Sequence, residues 1–416
     1  MIRNWIIILF LDISGVIQLL NLFKNVPKTI WLIALGHLVA DLSPGALYVA
    51  LPFLKAKFGL SYAEVSAIVL TQNLASSVSQ PLFGYISDQK HRLWLMPAGC
   101  MITGIFMAAS LLVPNYPLVM VCTAISGLGN SAFHPEAAKT VNFIGGREKG
   151  KAVSIFSLGG YAGVALGSML LAVLLLGGQS PLILIYTLPS IVIGLALFYE
   201  INKIPCPEVK GKGSLGTLKD CVNWPLFALL GMILTRATVT SGISTFVPLY
   251  YVSHLGGSEI YASSLLTVYL AAGAVGTMFG GILSDRYGSK LVMMYSILPI
   301  ALLMYWFLSA SGILIFVILA LIGILLSATA TSSLVLTQRM MPQNVGLASG
   351  FTLGFSVGLG TMGVLGLGWA ADHWGITLVF DILVLLPIIG FILTMFIREP
   401  QHHLEATKTR MDTSNS

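Results

Sequence analysis

Twelve long apolar runs, separated by short polar segments, restrict this chain to one kind of structure. Each run reaches the roughly 20 residues that a helix needs to cross a bilayer. Only 9% of the 416 residues are charged, whereas soluble domains carry about a quarter of their residues as charge. We therefore expect an all-α integral membrane protein. The predicted spans are Thr29–Pro52, Tyr62–Ser87, Leu93–Val113, Tyr116–Val141, Ala152–Gly177, Leu182–Glu200, Trp224–Val252, Ile260–Ser284, Leu291–Ala310, Ile313–Thr337, Gly346–Ala371 and Ile376–Ile397.

A repeated motif divides these spans into two sets of six. Gly84 and Asp88 come at the end of the second run, and Gly281 and Asp285 recur 197 residues later at the end of the eighth. We expect each glycine to close its helix. A second repeated pattern, with an offset of 195 residues, relates Gly159 and Gly163 of the fifth run to Gly354 and Gly358 of the eleventh. These two repeated patterns predict two six-helix repeats around a central cavity, with the four glycines at close helix contacts.

The chain also divides into five segments. Residues 1–28 contain an interrupted apolar stretch, Trp5–Phe23, whose polar positions recur every three or four residues. An interfacial amphipathic helix is expected there, with a membrane span or a spurious upstream start codon left open, and no signal-peptide cleavage site is visible. The other segments are a first helix bundle at 29–200, a cytoplasmic linker at 201–223, a second bundle at 224–398 and a cytoplasmic tail at 399–416.

The distribution of Lys and Arg sets the orientation. With both termini in the cytoplasm, 17 of the 22 Lys and Arg residues fall on the cytoplasmic side. Only Lys55 and Lys57 fall outside, Lys139 and Arg236 lie within helices, and Arg3 is unassigned. This bias predicts a multi-pass protein of the inner cell membrane with both termini cytoplasmic. Because the net charge of +6 is accounted for by topology, no nucleic-acid partner is expected.

The first span carries a carboxylate that needs an explanation, because charge inside a bilayer is costly. Asp41 lies about 12 residues into its helix, roughly 18 Å at 1.5 Å per residue, which is near the midplane. His37 precedes it by four residues, so the two side chains share a helix face and can form a hydrogen bond. A titratable group at this depth is suited to proton coupling or substrate binding. The alternative is a pair that only stabilises helix packing.

The fourth span carries a second pair of titratable residues. His134 and Glu136 flank Pro135, which removes a backbone donor and favours a kink. Irregular backbone inside a membrane is tolerated where it lines a cavity, so both side chains are candidates for proton coupling or substrate binding. The alternative for Glu136 is a local salt bridge with Lys139.

Arg236 is the one arginine that this topology places deep in the membrane. It stays protonated, so it cannot relay protons, but its planar guanidinium can hold a phosphonate or carboxylate through two hydrogen bonds. In the absence of substrate, the Arg236 guanidinium is expected to pair with the carboxylate of Asp41 or Glu136. The alternative is that this ion pair is purely structural. Gln72 and Asn73 are polar at a similar depth in the second span, where they either join helices or contact substrate.

The turns after the second and eighth spans have a predicted conformational role. Asp88 and Asp285, together with Gly84, Gly281 and Arg286, are expected to latch the two bundles on the cytoplasmic side and to stabilise an outward-open state. Nearby cations such as Arg92 and Lys290 are expected only to fix topology.

Twelve spans in two repeats with Gly-x-x-x-Asp turns resemble the major facilitator superfamily. Narrower motifs are similar to its fosmidomycin-resistance branch, and they are Gly36–Asp41, Leu74–Ser77 with Gln80–Pro81, Phe133–Ala137, and Ser154–Phe156 leading to Gly159–Gly160. The resemblance covers the chain from about Thr29 to Arg398. It implies a proton-driven exporter of small polar or anionic compounds, including phosphonate antibiotics.

We therefore expect a proton-coupled secondary transporter that works by alternating access as a monomer in the lipid bilayer. Uptake of a small organic anion by proton symport stays open, because Ser168 follows Gly167 where drug antiporters typically have proline. A membrane enzyme or receptor is the competing class. His37 with Asp41, and His134 with Glu136, resemble metal-ligand pairs, but no metalloenzyme spacing is present and the four cysteines form no C-x-x-C. Neither a catalytic residue, a metal nor a cofactor is expected.

Overall fold

The computed structural model describes residues 26–89, 92–145, 149–176, 181–204, 224–340, 352, 356–397 and 399. The extension before residue 26, most of the linker and most of the tail, about which the sequence makes predictions, lie outside these residues. Helices account for nearly all of the described chain. They are α1 Lys28–Phe58, α2 Tyr62–Gln89, α3 Leu95–Leu112, α4 Tyr116–Ile144, α5 Lys149–Leu175, α6 Leu188–Glu200, α7 Trp224–Leu249, α8 Glu259–Tyr287, α9 Ser289–Phe307, α10 Ile313–Met340, α11 Ser356–Trp374 and α12 Ile376–Met395.

Ten helical stretches of the described chain are long and apolar enough to cross a membrane. They include α6 together with the short 3-10 helices that flank it, and α7 together with the π-helical turn that follows it. The predicted spans without such a stretch correspond to α2, which carries Gln72, Asn73 and Gln80, and α11, whose start adjoins residues outside the described chain. An all-α membrane protein is confirmed, while two six-helix repeats stay a prediction.

Short sequence signals set several helix ends. The Asn115 side chain accepts a hydrogen bond from Leu118 N at 3.0 Å and caps α4, and Ser258 caps α8 in the same way at 3.2 Å. Such caps satisfy backbone N–H groups that have no partner within the helix. At the other ends, Gly59 after α1 has φ +63° and Gly288 after α8 has φ +90°. Glycine adopts this conformation without the cost that a Cβ would bring.

The expected helix-closing role of two motif glycines is wrong. Gly84 and Gly281 lie inside α2 and α8, which continue to Gln89 and Tyr287. Neither glycine has positive φ, so nothing in its backbone conformation interrupts the helix. The residue that ends α8 is Gly288, seven positions after Gly281.

Close packing joins α1 to α5. A Cβ at Gly159 would collide with the Ala34 carbonyl oxygen, and one at Gly163 would collide with that of Leu38. Both contacts are with backbone, which cannot swing aside as a long side chain can. The two helices therefore approach each other more closely than any residue with a side chain would allow.

The counterparts of these glycines in α11 behave differently. Gly354 lies outside the described residues, and a Cβ at Gly358 would meet no described atom within 4 Å. The expected close contact at Gly358 is therefore absent from the described structure. Tight contacts of α11 with α7 lie at Gly360, where a Cβ would be 2.9 Å from atoms of Ala237, and at Gly363, where a Cβ would be 2.5 Å from Thr238 Oγ1.

The first six helices meet the last six through α2 against α11 and α5 against α8. Ser168 Oγ in α5 lies 2.7 Å from Thr267 Oγ1 in α8, and the Asp372 carboxylate in α11 accepts from the first backbone N–H groups of α2. These contacts lie in the parts of the helices nearest to the α1–α2 turn. We call this side of the bundle the α1–α2 end, and the opposite side the α2–α3 end.

Candidate functional site

Asp41 lies between two histidine rings in the first six helices. His37 Nε2 is 3.2 Å from Asp41 Oδ2 within α1, and His134 Nε2, from α4, is 3.3 Å from Asp41 Oδ1. The side chains of His37, Asp41 and His134 are 11%, 15% and 24% exposed, so the cluster is mostly buried without being sealed. The contact between His37 and Asp41 follows from their spacing, whereas that with His134 was not anticipated.

Backbone carbonyls fix the orientation of both rings. His37 Nδ1 lies 2.7 Å from the Phe156 carbonyl oxygen in α5, and His134 Nδ1 lies 2.7 Å from that of Asn130 one turn earlier in α4. A further donor reaches the carboxylate, because Asn130 Nδ2 donates to Asp41 Oδ1 at 3.0 Å. Asp41 therefore contacts three nitrogen-bearing side chains from two helices.

Aromatic rings and a glycine enclose this cluster. The Phe156 ring stacks on His37 with centroids 4.0 Å apart, and Phe133 lies edge-on to His134 at 5.7 Å. On the α5 side, a Cβ at Gly160 would lie 2.9 Å from Asp41 Oδ2 and closer still to the His37 ring. Gly160 thus leaves the space that the His37–Asp41 pair occupies.

The same three residues could hold a metal ion, since His37, Asp41 and His134 each offer one ligand atom within 4.8 Å of the others. The sequence had predicted no metal. Both nitrogen-to-oxygen distances also suit hydrogen bonds in which a proton lies between the two atoms. The second possibility is the one that the proposed function uses.

Glu136 does not accompany His134 into this cluster. It is fully buried, and its Oε2 lies 3.5 Å from the backbone N of Arg92, just before α3. Residues two apart on a helix point in different directions, and α4 runs without interruption through Pro135. His134 and Glu136 therefore contact different neighbours, and a role of Glu136 in proton coupling or substrate binding stays a prediction.

Arg236 lies in α7 with its side chain half-buried. Its Nη2 donates to Ser356 Oγ in α11 at 3.3 Å, and its buried Nε has no hydrogen-bond partner in the described structure. Tyr161 and Tyr269 lie within electrostatic range of the guanidinium. Among the described residues, the predicted contact of Arg236 with Asp41 or Glu136 is absent. The two histidines and Asn130 already engage the oxygens of Asp41.

Gln72 and Asn73 differ in environment although they are adjacent. Gln72 is 1% exposed and neither its amide oxygen nor its amide nitrogen has a hydrogen-bond partner in the described structure. Asn73 is half-buried and lies near Tyr48 of α1. In the described structure Gln72 keeps an unused donor and acceptor.

The residues of the predicted latch lie at the α2–α3 end. The side chains of Asp88 and Asp285 fall outside the described structure. Arg286 is exposed, with its guanidinium carbon 5.4 Å from the centroid of the adjacent Tyr287 ring. The role of Gly84, Asp88, Gly281, Asp285 and Arg286 as a latch stays a prediction.

The sequence did not predict the structural roles of two further carboxylates, Asp372 and Glu399. Asp372 accepts from the backbone N of Tyr62 at 2.6 Å and from that of Ala63 at 2.8 Å. Glu399 forms an ion pair with Arg339 at 3.2 Å and accepts from Ser289 N at 2.9 Å, at the first residue of α9. No short-range pattern marks either residue, because their partners lie 60 to 310 residues away.

A bundle of apolar helices that holds a mostly buried carboxylate–histidine cluster and a half-buried arginine is typical of a multi-pass membrane transporter. The sequence model of the Major Facilitator Superfamily matches residues 33–258 and 228–414, and the chain belongs to that family. The resemblance noted in the sequence is thereby confirmed. Proteins of this family are transporters that bind small-molecule substrates, and the homologues and fold of this chain are not those of enzymes.

Similar proteins agree with this assignment. The fosmidomycin resistance protein of Escherichia coli (strain K12) is 32% identical over 381 residues, which cover 89% of this chain and 92% of the relative. An MFS-type transporter of Bacillus subtilis (strain 168), YfnC, is 28% identical over 373 residues, or 87% and 90% of the two chains. The fold is similar to that of a bacterial homologue of the human lysosomal transporter Spinster in its inward-facing, unoccupied conformation. The TM-score is 0.73 at 14% identity over 90% of this chain and 98% of the other.

Proposed function

We propose that the chain is a proton-coupled secondary transporter that exports a small polar or anionic compound, such as an antibiotic or a metabolite, by alternating access. The observation that carries this proposal is the placement of Asp41 between His37 Nε2 and His134 Nε2, at 3.2 and 3.3 Å. A buried carboxylate with two imidazoles can bind and release protons near neutral pH, which coupling to a proton gradient requires.

Arg236 supports an anionic or strongly polar substrate. A buried guanidinium nitrogen without a partner is costly, and Arg236 Nε is in that state among the described residues. An anion that accepts from Nε and Nη2 would form two parallel hydrogen bonds along one edge of the planar guanidinium. Since the relative from Escherichia coli is named for fosmidomycin resistance, a phosphonate is the first compound to test.

The orientation proposed from the distribution of Lys and Arg places both termini in the cytoplasm of a cell with an inner membrane, with two six-helix bundles joined by residues 201–223. In this orientation the α1–α2 end is external, and the contacts between Ser168 and Thr267 and between Asp372 and α2 close the external side. The described conformation would then be inward-facing. The predicted latch, at the α2–α3 end, would form only after the bundles rock to the outward-facing state.

Growth of a pump-deficient bacterial host tests the direction of transport. The host would express the wild type or Asp41→Asn and grow against fosmidomycin, other phosphonates and cationic dyes, with membrane levels of both proteins checked by immunoblot. Resistance with the wild type alone supports export. Hypersensitivity with the wild type alone supports uptake, and identical growth of the two strains on every compound contradicts the coupling role of Asp41.

Uptake of a small organic anion by proton symport is the second candidate. It is favoured by Ser168, which occupies the position after Gly167 where drug antiporters typically have proline. Ser168 is fully buried, donates to the Ala165 carbonyl at 2.8 Å and bonds to Thr267 across the two sets of helices. A proline there could make neither side-chain bond, so the α5–α8 contact differs from that expected of a drug antiporter.

A further inference from the structure

The rings of His37 and His134 are held by the same arrangement on different helices. Each Nδ1 lies 2.7 Å from a backbone carbonyl oxygen, that of Phe156 for His37 and that of Asn130 for His134. A carbonyl oxygen only accepts hydrogen bonds, so both Nδ1 atoms carry hydrogen. In the neutral form of either ring, the remaining nitrogen, Nε2, then bears a lone pair.

Both lone pairs point at the same carboxylate. His37 Nε2 faces Asp41 Oδ2 and His134 Nε2 faces Oδ1. An ionised carboxylate is also only an acceptor, so each contact is repulsive when no hydrogen lies between the atoms. One proton turns one contact into a charge-assisted hydrogen bond. Because the contacts use different oxygens and different rings, a single proton cannot serve both.

We propose that Asp41, His37 and His134 form a two-proton site, loaded with both protons in the conformation described here, and that both protons leave in each transport cycle. This inference rests on the transport function proposed above. With both protons bound, two imidazolium groups and one carboxylate carry a net charge of +1, and with neither bound the carboxylate alone gives −1.

The surroundings of the cluster favour a change of shape when the protons leave. Two titratable groups of the described helices lie beside the cluster without joining it. The Cys100 thiol of α3 donates to the Gly36 carbonyl at 3.3 Å, and Glu136 Oε2 of α4 lies 3.5 Å from the backbone N of Arg92, with Lys139 about one turn further along α4. On its α5 side the cluster meets Phe156 and Gly160, which do not titrate. Within the described chain, no Lys or Arg contacts the Asp41 carboxylate.

Among the described residues, release of both protons would therefore leave Asn130 as the one remaining donor to a mostly buried anion. Of the two contacts that become repulsive, the one between His134 and Asp41 joins α1 to α4, whereas the one between His37 and Asp41 lies within α1. Deprotonation thus loosens α1 against α4, while the bond from His37 Nδ1 to the Phe156 carbonyl of α5 is kept. Proton release can therefore move a helix of the first six without any prior change in the last six.

The proton count can be measured without a substrate. The full-length protein, labelled with ¹⁵N-histidine and held in lipid nanodiscs, would be examined by NMR at about pH 7.5, where an ordinary imidazole is about nine-tenths neutral. His37→Gln, His134→Gln and His373→Gln would assign the signals. We expect hydrogen on both nitrogens of His37 and of His134. An unprotonated Nε2 on either ring would overturn the two-proton site.

His373 is the matched control for this measurement. Its Nδ1 lies 2.9 Å from the Trp369 carbonyl one turn earlier, the same backbone contact that His134 makes with Asn130. In the described structure its side chain has no carboxylate partner. His373 therefore shares the backbone contact without the carboxylate, and its signals serve as the reference for the other two rings. In Asp41→Asn, the Nε2 signals of His37 and His134 should move to the position of the His373 signal, and an unchanged proton occupancy would show that the carboxylate does not hold the protons.

The number of protons exchanged per substrate, measured in proteoliposomes, tests whether both protons leave in each transport cycle. Fosmidomycin is the probe, and the membrane potential is clamped at zero. One unit of pH gradient sustains about a 100-fold substrate gradient when two protons exchange, and about a tenfold gradient when one does. His134→Gln keeps a donor near Asp41 but carries no exchangeable proton, so its gradient should fall to about tenfold. A tenfold gradient with the wild type would overturn the two-proton cycle. If fosmidomycin is not transported, the NMR result still decides the two-proton site, so the two failures are distinguishable.

Discussion

The Asp372 carboxylate near the end of α11 accepts a hydrogen bond from the backbone N of Tyr62 at 2.6 Å, and its second oxygen accepts from Ala63 N at 2.8 Å. These are the first two residues of α2, whose N–H groups have no partner inside the helix. The third, Glu64 N, bonds to Ser61 Oγ at 3.2 Å. A residue of the last six helices therefore completes the N-terminal cap of a helix of the first six.

Replacing Asp372 should weaken the closure of the α1–α2 end. Asp372→Asn keeps one acceptor oxygen but loses the charge that favours a helix N-terminus and one of the two hydrogen bonds. We expect a loss of about 1–2 kcal/mol, which shifts the population of conformers open at this end by roughly 5- to 30-fold. The distance between spin labels at Pro114 and Ser311, in a cysteine-free background, would be measured by double electron–electron resonance. Opening of the α1–α2 end would appear as a larger population at longer distances.

Asp381→Asn is the control for this experiment. Asp381 lies in α12 near the same end, is exposed, and makes no ion pair or side-chain hydrogen bond in the described structure. Removing its charge should leave the distance distribution unchanged. Equal distributions for Asp372→Asn and wild type would mean that the Asp372 cap does not contribute to closure.

Asp41→Asn should abolish proton-driven transport while the protein still inserts into the membrane. Asparagine keeps the shape of the side chain and can still receive the Asn130 donor, but it cannot exchange a proton. Inverted membrane vesicles energised by a pH gradient, with the protein quantified by immunoblot, would measure the effect. Accumulation of substrate against a gradient by the variant, with the pH dependence of the wild type, would make Asp41 a structural residue.

Gly160→Ala should inactivate transport because the added methyl group would displace the His37 ring. The added methyl would lie 2.9 Å from Asp41 Oδ2 and press on His37, and overpacking of this kind costs about 1–3 kcal/mol. We expect a lower melting temperature in detergent and a loss of proton-dependent transport.

Gly366→Ala offers the comparison for Gly160→Ala, because its Cβ would meet no described atom within 4 Å. Its melting temperature and activity should match those of the wild type. If Gly160→Ala also matched the wild type, the close approach of α5 to the His37–Asp41 pair would be unnecessary for function.

The sequence allowed those features to be predicted that depend on spacing within one helix. The apolar runs predict most helices to within a few residues, and the four-residue spacing of His37 and Asp41 places both on one face of α1. The same rule separates His134 from Glu136, since residues two apart on a helix diverge.

Contacts between distant helices could not be predicted in this way. His134 meets Asp41 only because α4 packs beside α1, and Asp372 meets Tyr62 across 310 residues. One indirect signal was available for Asp372. Ser61 and Glu64 form a capping box, with bonds of 2.8 and 3.2 Å, and such a box leaves the first two N–H groups of a helix without a partner. If the first turn of α2 is packed against another helix, its first two N–H groups therefore need an acceptor from another part of the chain.

Arg236 provides the last prediction, which concerns the substrate. Its Nε is buried without a partner and its Nη2 reaches only Ser356 Oγ, at 3.3 Å, in the described structure. An anionic substrate that accepts from both nitrogens would satisfy this side chain. Arg236→Lys should weaken the binding of a phosphonate by about tenfold or more, because lysine offers a point charge without the planar pair of donors. Equilibrium binding of radiolabelled fosmidomycin to purified protein would measure the change.

Arg236→Gln separates the loss of charge from the loss of the arginine shape. Glutamine removes the positive charge while keeping a polar side chain that can still bond to Ser356. Binding of the phosphonate should fall further than in Arg236→Lys, whereas a neutral dye should bind as it does to the wild type. Ser356→Ala is the matched control. It removes the hydrogen-bond partner that the guanidinium has among the described residues and leaves the charge in place, so phosphonate binding should change much less. Wild-type affinity for the phosphonate in Arg236→Gln would exclude Arg236 as the anion-binding group and would make neutral or cationic compounds the better candidates.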